Sequence, residues 1–258
     1  MGRGQKKPAE CEGQLSIFDF CTDVSNYVVQ HNKIIEGKQT LNIKPAKLIR
    51  ATIMQTVRDD EELKPYIITI ADLAKILGLE NTSNLYRDIN DITDEIVANY
   101  VYIKADTAKK QSWVKIPWVA YCRYDSDVGV VIQLNEALKP YLLGLKNHYT
   151  QYPYFEIMNM KCIYSIRISE LIQNKIYCQE LPPEGIDIDL SIEEIRIGCN
   201  CEDIYLQYAH LKSRVIDKAV EEINERTFYK LTYSAIKKGR PVVGIKFHLC
   251  MFYHNIPN

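Results

Sequence analysis

The chain has 258 residues, 47% of them apolar and 25% charged, with a formal net charge of −1 at pH 7. This balance excludes wholesale disorder and collagen-like repeats, and no apolar run approaches the roughly 18 residues of a membrane span. At roughly 100–200 residues per domain, the length fits two domains or one large one. Residues 1–12 are polar and lack the apolar core of a secretory signal, so the cytoplasm is the expected location. The 8 cysteines include no C-x-x-C pair. Cys199 and Cys201 form a C-x-C with no second Cys or His pair at zinc spacing, so free thiols, no metal and no cofactor are expected.

The small net charge hides an asymmetry. Residues 180–204 carry 8 acidic side chains against Arg196 alone, whereas residues 205–250 carry 9 Lys/Arg against 4 Asp/Glu. A phosphate feels charge within a Debye length of about 8–10 Å, so this local excess matters more than the sum.

In chain order, residues 1–23 read as a flexible leader. Apolar residues recur at helical spacing over 24–35 and 46–57. Residues 69–78 predict a short helix with Thr69 as cap and Gly78 as stop. A polar turn at 80–82 leads into a second helix over about 83–98, burying Leu85, Ile89, Ile92 and Ile96. Two helices joined by such a turn make a helix-turn-helix. Segments 101–105, 113–121 and 128–134 are rich in β-branched and aromatic residues and predict strands. The lysine-bearing connection at 106–111 predicts a wing carrying Lys109, Lys110 and Lys115. Asn135 caps a further helix, interrupted at Pro140 and running to about Tyr149.

The second half repeats this grammar. Residues 156–173 predict a helix, and 191–198 predict another with a capping box at Ser191 and a glycine stop at Gly198. A long helix over 211–226 buries Leu211, Val215, Ala219 and Ile223, leaving Lys212, Ser213, Asp217 and Asn224 outward. Strands at 229–235 and 242–249 follow, joined by a basic tip at 236–241. The expected fold class is α+β, with two tandem winged-helix domains, each a helix-turn-helix plus a β-hairpin wing. The expected domains span 24–150 and 151–258.

Several of these segments resemble one family. Arg214-Val215-Ile216-Asp217-Lys218-Ala219, Glu222-Ile223-Asn224, Thr227 and Ile236-Lys237-Lys238-Gly239-Arg240 are similar to the second winged helix of plasmid replication initiator (Rep) proteins that bind iterons. Pro140-Tyr141-Leu142-Leu143, Leu145-Lys146, Met160-Lys161 and Tyr164-Ser165-Ile166-Arg167 resemble the same family, so the similarity covers about residues 24–249. Cys162 departs from it, since the family more often has a small hydroxyl residue there. The resemblance implies a protein, not an enzyme, that binds directly repeated origin sites on double-stranded DNA and helps open the duplex. It also implies recruitment of the host replicative helicase or its loader, and self-association in which dimers repress their own gene.

In a winged helix the second helix of the motif enters the major groove, where base edges are readable. Lys212, Ser213 and Arg214 are the base-reading candidates, with Asp217 and Lys218 one turn on. The competing reading is a solvated basic face with Asp217 paired to Arg214 or Lys218. Lys237, Lys238 and Arg240 at the wing tip suit phosphates, and equally suit an ordinary solvated turn. Lys161, Ser165 and Arg167 add candidate phosphate contacts, although Arg167 equally suits a pair with Glu170. In the first half, Ser83, Asn84 and Arg87 face outward at the start of the equivalent helix. Asp88, Asp91, Asp94 and Glu95 on that helix repel phosphate, so weaker DNA contact and a dimer surface are expected there.

Gln14-Leu15-Ser16-Ile17-Phe18 resembles the peptide that bacterial replication proteins insert into the sliding clamp. The alternative is that Ile17, Phe18 and Phe20 pack onto the first domain. Enzyme readings find little support. A rolling-circle nickase needs a histidine pair for metal beside a tyrosine, and the 5 histidines include no close pair. P-loop, G-x-S-x-G and H-E-x-x-H patterns are absent. A winged-helix repressor at a palindromic operator is the first rival, and a nicking enzyme the second.

Overall fold

The computed structural model describes residues 26–57, 59–78, 85–104, 111–176, 179 and 181–251. The clamp-like segment Gln14–Phe18, Ser83, Asn84, Lys109 and Lys110 lie outside them.

The chain enters on a strand, β1 (Tyr27–His31), followed by a short helix α1 (Asn32–Glu36), where the spacing predicts a single helix. Val28 and Gln30 are buried between more exposed neighbours, an alternation that belongs to strands. After β2 (Lys38–Gln39), helix α2 (Ile43–Met54) is buried along its whole length from Pro45 and forms the centre of the first half. Next come β3 (Pro65–Thr69) and α3 (Ile70–Leu77). The Thr69 hydroxyl accepts from the Asp72 amide at 3.2 Å, and Gly78 ends α3 in the left-handed region at φ +66°, both as the sequence predicts. Helix α4 (Leu85–Ala98) buries Leu85, Ile89, Ile92 and Ile96 on one stripe, also as predicted.

The residue types predict three strands after α4, and four are present: β4 (Tyr100–Lys104), β5 (Trp113–Pro117), β6 (Val119–Asp125) and β7 (Gly129–Leu134). The expected strand 113–121 breaks at Trp118, whose side chain is fully buried. Its amide donates to Asn99 and its carbonyl accepts from Asn135, so the chain is pinned there and changes sheet. β4 and β5 join β2 in one sheet of order β2-β4-β5, while β6 and β7 join β3 in another of order β3-β7-β6. The wing of the first half is therefore the β6–β7 hairpin, and Lys115 sits on the other sheet. The β6–β7 turn carries Asp125 and Asp127 in place of lysines.

Asn135 caps the next turn through its side chain, but the helix α5 (Lys139–Leu142) stops well short of Tyr149. Leu143 turns extended and Gly144 adopts φ +63°. β8 (Tyr149–Pro153) then pairs antiparallel with β1, so the expected domain boundary after residue 150 falls inside a strand.

The expected helix 156–173 is two helices, α6 (Tyr154–Asn159) and α7 (Ile163–Lys175). Met160 and Cys162 are extended, and the Glu222 carboxylate accepts from the Lys161 and Cys162 amides at 2.6 and 2.9 Å. These bonds cap the start of α7 from a distant helix. The remaining elements are β9 (Ile186–Ser191), α8 (Ile192–Gly198), α9 (Tyr208–Leu211), α10 (Asp217–Arg226), β10 (Tyr229–Lys237) and β11 (Val242–Met251). A π-turn over Lys212–Ile216 joins α9 to α10 as one continuous helix, and the sheet order is β10-β11-β9. The capping box at Ser191 and Glu194 forms with both bonds. Gly198 is not the stop, because it is helical and buried; a Cβ there would lie 2.7 Å from Leu171. Its role is to let α8 lie against α7, and Asn200 supplies the positive φ.

Around α7, on the side of the first half, lies a buried ionic cluster. Glu170 on α7 accepts from Arg50 Nε and Nη2, each at 3.0 Å, from Arg167 Nη1, and from the Tyr152 hydroxyl. Gln30 donates to it at 3.2 Å, and Gln39 accepts from Arg50 at 2.8 Å. Arg167 also donates to the carbonyls of Ile35 and Gly37 in the first half and Gly198 in the second. All three charged side chains are at most 2% exposed. Burial pushes the Glu170 carboxyl up, but the two guanidiniums outweigh it and hold it at about 2.

Removing one partner of such a cluster strands buried charge, which typically costs about 3–5 kcal/mol. We expect Glu170→Ala to lower unfolding stability by that amount in urea titrations; an unchanged midpoint would show that the cluster carries no stability. Because the folded pKa lies below the ordinary 4.5, the contribution is complete above about pH 4.5 and disappears as pH falls toward 2. The same variant should therefore lose most of its stability change with pH in that window.

Candidate functional site

The second half presents its helix-turn-helix through one arginine. The Arg196 guanidinium on α8 donates to the carbonyls of Cys201, Ile204, Tyr205 and Leu206, at 2.9 to 3.1 Å. A single planar cation thus collects the carbonyls of the turn, which satisfies backbone groups that no strand or helix bonds. The turn leaves Leu206 71% exposed at the approach to the next helix.

That helix begins at Tyr208, one turn before the expected Leu211. Ala209 and His210 lie exposed on its first turn and belong with the base-reading candidates. Gln207 at the cap makes no side-chain bond to the helix, so no capping signal marks this start. The apolar spacing from Tyr208 to Leu211 and Val215 is the available clue. Leu211, Val215, Ala219 and Ile223 are buried as predicted. Asn224 faces inward instead, bonding both the amide and the carbonyl of Leu231 on β10.

Lys212 and Asp217 are engaged with each other rather than free. Lys212 Nζ lies 2.9 and 3.0 Å from the two Asp217 oxygens, and the Tyr233 hydroxyl on β10 donates to the same carboxylate. The π-turn brings positions five apart onto one face, which selects Lys212 over Arg214 or Lys218 as the partner. Partial burial pushes the Asp217 carboxyl up, and the bonds from Tyr233 and Lys212 outweigh it and bring it below the usual range. Hydrogen bonds to Tyr233 and Asp217 raise the Lys212 ammonium. The triad ties the helix to the first strand of the wing.

Ser213, Arg214 and Lys218 are exposed on this helix. At the wing tip the Lys238 amide donates to the Pro241 carbonyl at 3.1 Å, and Gly239 takes φ +71°. Lys237, Lys238 and Arg240 surround that turn and are exposed. No carboxylate among the described residues lies within ion-pair distance of Arg214, Lys218, Lys237, Lys238 or Arg240. Three carboxylates of the acidic segment have partners elsewhere: Asp187 with His248 and Lys246, Glu194 with Lys175, and Glu202 with Lys38.

Two candidates on α7 are corrected. Ser165 is fully buried and Arg167 is 2% exposed, so neither can meet a phosphate. α7 runs through the middle of the molecule, and Arg167 pairs with Glu170 in the buried cluster. Lys161 just before α7 remains exposed. In the first half Arg87 is exposed on α4, near Asp91 and Asp94, which also face solvent. Asp88 pairs with Lys44, and Glu95 accepts from Asn42. Among the described residues no group of three or more His, Cys, Asp or Glu could hold a metal ion, and no helix is long and apolar enough to cross a membrane.

Comparison with known proteins places these two units. One family model, Initiator Replication protein, WH1, matches residues 27–173, and a second, Initiator Rep protein, WH2, matches residues 191–249. The solved structure of the Pi initiator protein in complex with iteron DNA superposes with a TM-score of 0.71 at 16% identity, covering 89% of this chain and 99% of that one. Domains 2 and 3 of RctB align with a TM-score of 0.42 at 10% identity, covering 80% of each chain. The likeness to Pi is one of fold: two winged helices in tandem. With WH1 alone matching more than half of the residues, followed by WH2, this chain belongs to the family of initiator replication proteins.

Proposed function

We propose that this chain binds double-stranded DNA at directly repeated origin sites and thereby initiates replication of a plasmid or related mobile element. The observation that carries the reading is the second unit's surface. Ser213, Arg214 and Lys218 are exposed on the helix that suits a major groove, and Arg214, Lys218 and the three wing-tip cations beside them have no carboxylate partner among the described residues. The Lys212–Asp217–Tyr233 triad fixes the angle between helix and wing, so both can engage one duplex without reorganising. Support also comes from Pi, a protein of the same fold whose solved complex contains iteron DNA. Ala209, His210, Ser213 and Arg214 read base edges; Lys218, Lys237, Lys238, Arg240 and Lys161 contact phosphates.

In the first unit, Arg87 with Ser83 and Asn84 makes the weaker contact, and the acidic residues of α4 leave that face suited to self-association. We place the division between the units within residues 176–185, after α7. The host helicase or its loader and a second copy of the chain are the partners the family resemblance implies, and the separate likeness of Gln14–Phe18 to a clamp-binding peptide adds a sliding clamp. The chain acts as a binder rather than a catalyst in this reading.

Mobility shifts on DNA with and without direct repeats test the reading: stepwise complexes on repeats, surviving competitor, are expected. Binding confined to an inverted repeat would favour the repressor instead. Arg214→Ala should cost discrimination between matched and base-substituted sites by about 1–3 kcal/mol, the worth of one bidentate arginine–guanine pair. Unchanged discrimination would remove Arg214 from base reading. Lys238→Ala should weaken all sequences alike and reduce the log–log salt slope by about 1, because one phosphate is no longer neutralised. A salt slope identical to that of the unmodified protein would exclude the wing tip from phosphate contact.

A further inference from the structure

The sheet β2-β4-β5 has two unlike faces. Val101, Ile103 and Ile116 are buried against the core. The alternate positions, Tyr100, Tyr102 and Lys104 on β4 and Trp113 and Lys115 on β5, fall on the other face. Trp113 is 60% exposed, unlike Trp118 a few residues on, which is fully buried. Its ring centroid lies 5.8 Å from that of Tyr102 with an interplanar angle of 32°. The Lys115 ammonium lies 5.0 Å from the Tyr100 ring centroid, 5.5 Å from Trp113 and 5.9 Å from Tyr102. Neither β4 nor β5 carries an acidic residue, and Lys104 stands directly across from Trp113 in the register.

Leaving an indole open to water forgoes burial energy, and the core within reach already holds Trp118. The surface instead combines flat rings with cations, and Glu202, which reaches its edge from the second half, is paired with Lys38 on β2 at 2.7 Å. That chemistry suits a polyanion whose bases are free to stack. A duplex keeps its base faces stacked on each other and offers only base edges and phosphates, whereas a single strand offers ring faces and phosphates together. We propose that the outer face of β2-β4-β5 is a binding site for single-stranded nucleic acid, with Trp113 and Tyr102 stacking on bases and Lys104 and Lys115 meeting phosphates. This site is separate from the helix and wing of the second unit and does not rest on their reading.

The test uses the full chain with the oligomers dT20 and rU20, which form no duplex, and with a repeat-bearing duplex as a parallel arm. Trp118 is sealed in the core, so quenching of tryptophan emission on adding an oligomer reports Trp113. Quenching is expected. Trp113→Ala should weaken oligomer binding by about tenfold, the loss of one stacked base, while Trp113→Phe restores most of it. Duplex affinity should stay within about twofold in both variants. Preference for dT20 or rU20 identifies the strand type, and either supports the site. Oligomer binding that is absent, unquenched, or equal in Trp113→Ala overturns the proposal. So does a Trp113→Ala protein that changes oligomeric state in sedimentation while still binding dT20, since the face would then be an interface between copies. Failure of the unmodified protein to bind the duplex alone would count against the recognition-helix reading and leave this one standing.

Discussion

The packing of the first unit depends on the carboxylate of Glu170, and Arg167 beside it reaches across to the second. The carboxylate receives two guanidiniums, one from α2 and one from its own helix, together with a tyrosine and a glutamine from the β1–β8 pair. A buried ion has no water to satisfy it, so every partner must be present and correctly aimed. Arg167 extends the constraint by donating to backbone carbonyls on both sides of the junction. Hydrophobic contact would tolerate small slips between the halves; hydrogen-bonded charge in fixed geometry does not.

That junction sets where the second unit's surface points, and a smaller version of the same device acts within it. The Lys212–Asp217–Tyr233 triad joins helix to wing at the surface, where screening makes an ion pair weak as a source of stability. Its value lies in geometry: a helix and a hairpin that engage one duplex must keep a set angle. Arg196 does comparable work on the turn before the helix. Cations that hold the scaffold are thus distinct from cations that face solvent, although the two kinds are interleaved along the chain.

Much of this is legible in the residue order. Thr69, Gly78, the Ser191–Glu194 capping box and the apolar stripes on α4 and along 211–223 are local signals, and each produces the expected element. The wing tip at Lys237–Arg240 is legible for the same reason, since a Gly flanked by cations between two strand patterns needs no distant partner. What misleads is polarity read as exposure. Arg167 and Ser165 look outward in a helical pattern, yet α7 is enclosed on all sides. Lys212 and Asp217 look like readers until the π-turn pairs them. The expected strand 113–121 is continuous in propensity, and only the burial of Trp118 divides it between two sheets.

The sequence by itself determined the alternation of helices and strands, the repeated winged-helix plan, and the basic surface of the second half, because caps, turns and periodicity act over a few residues. Tertiary structure alone decided which charges are free. Whether an arginine meets a phosphate or a buried glutamate depends on which elements come together across the chain, as Arg167 and Arg50 do on Glu170. The desolvation of a charged group is a property of its surroundings, and those surroundings are assembled from residues more than a hundred positions apart.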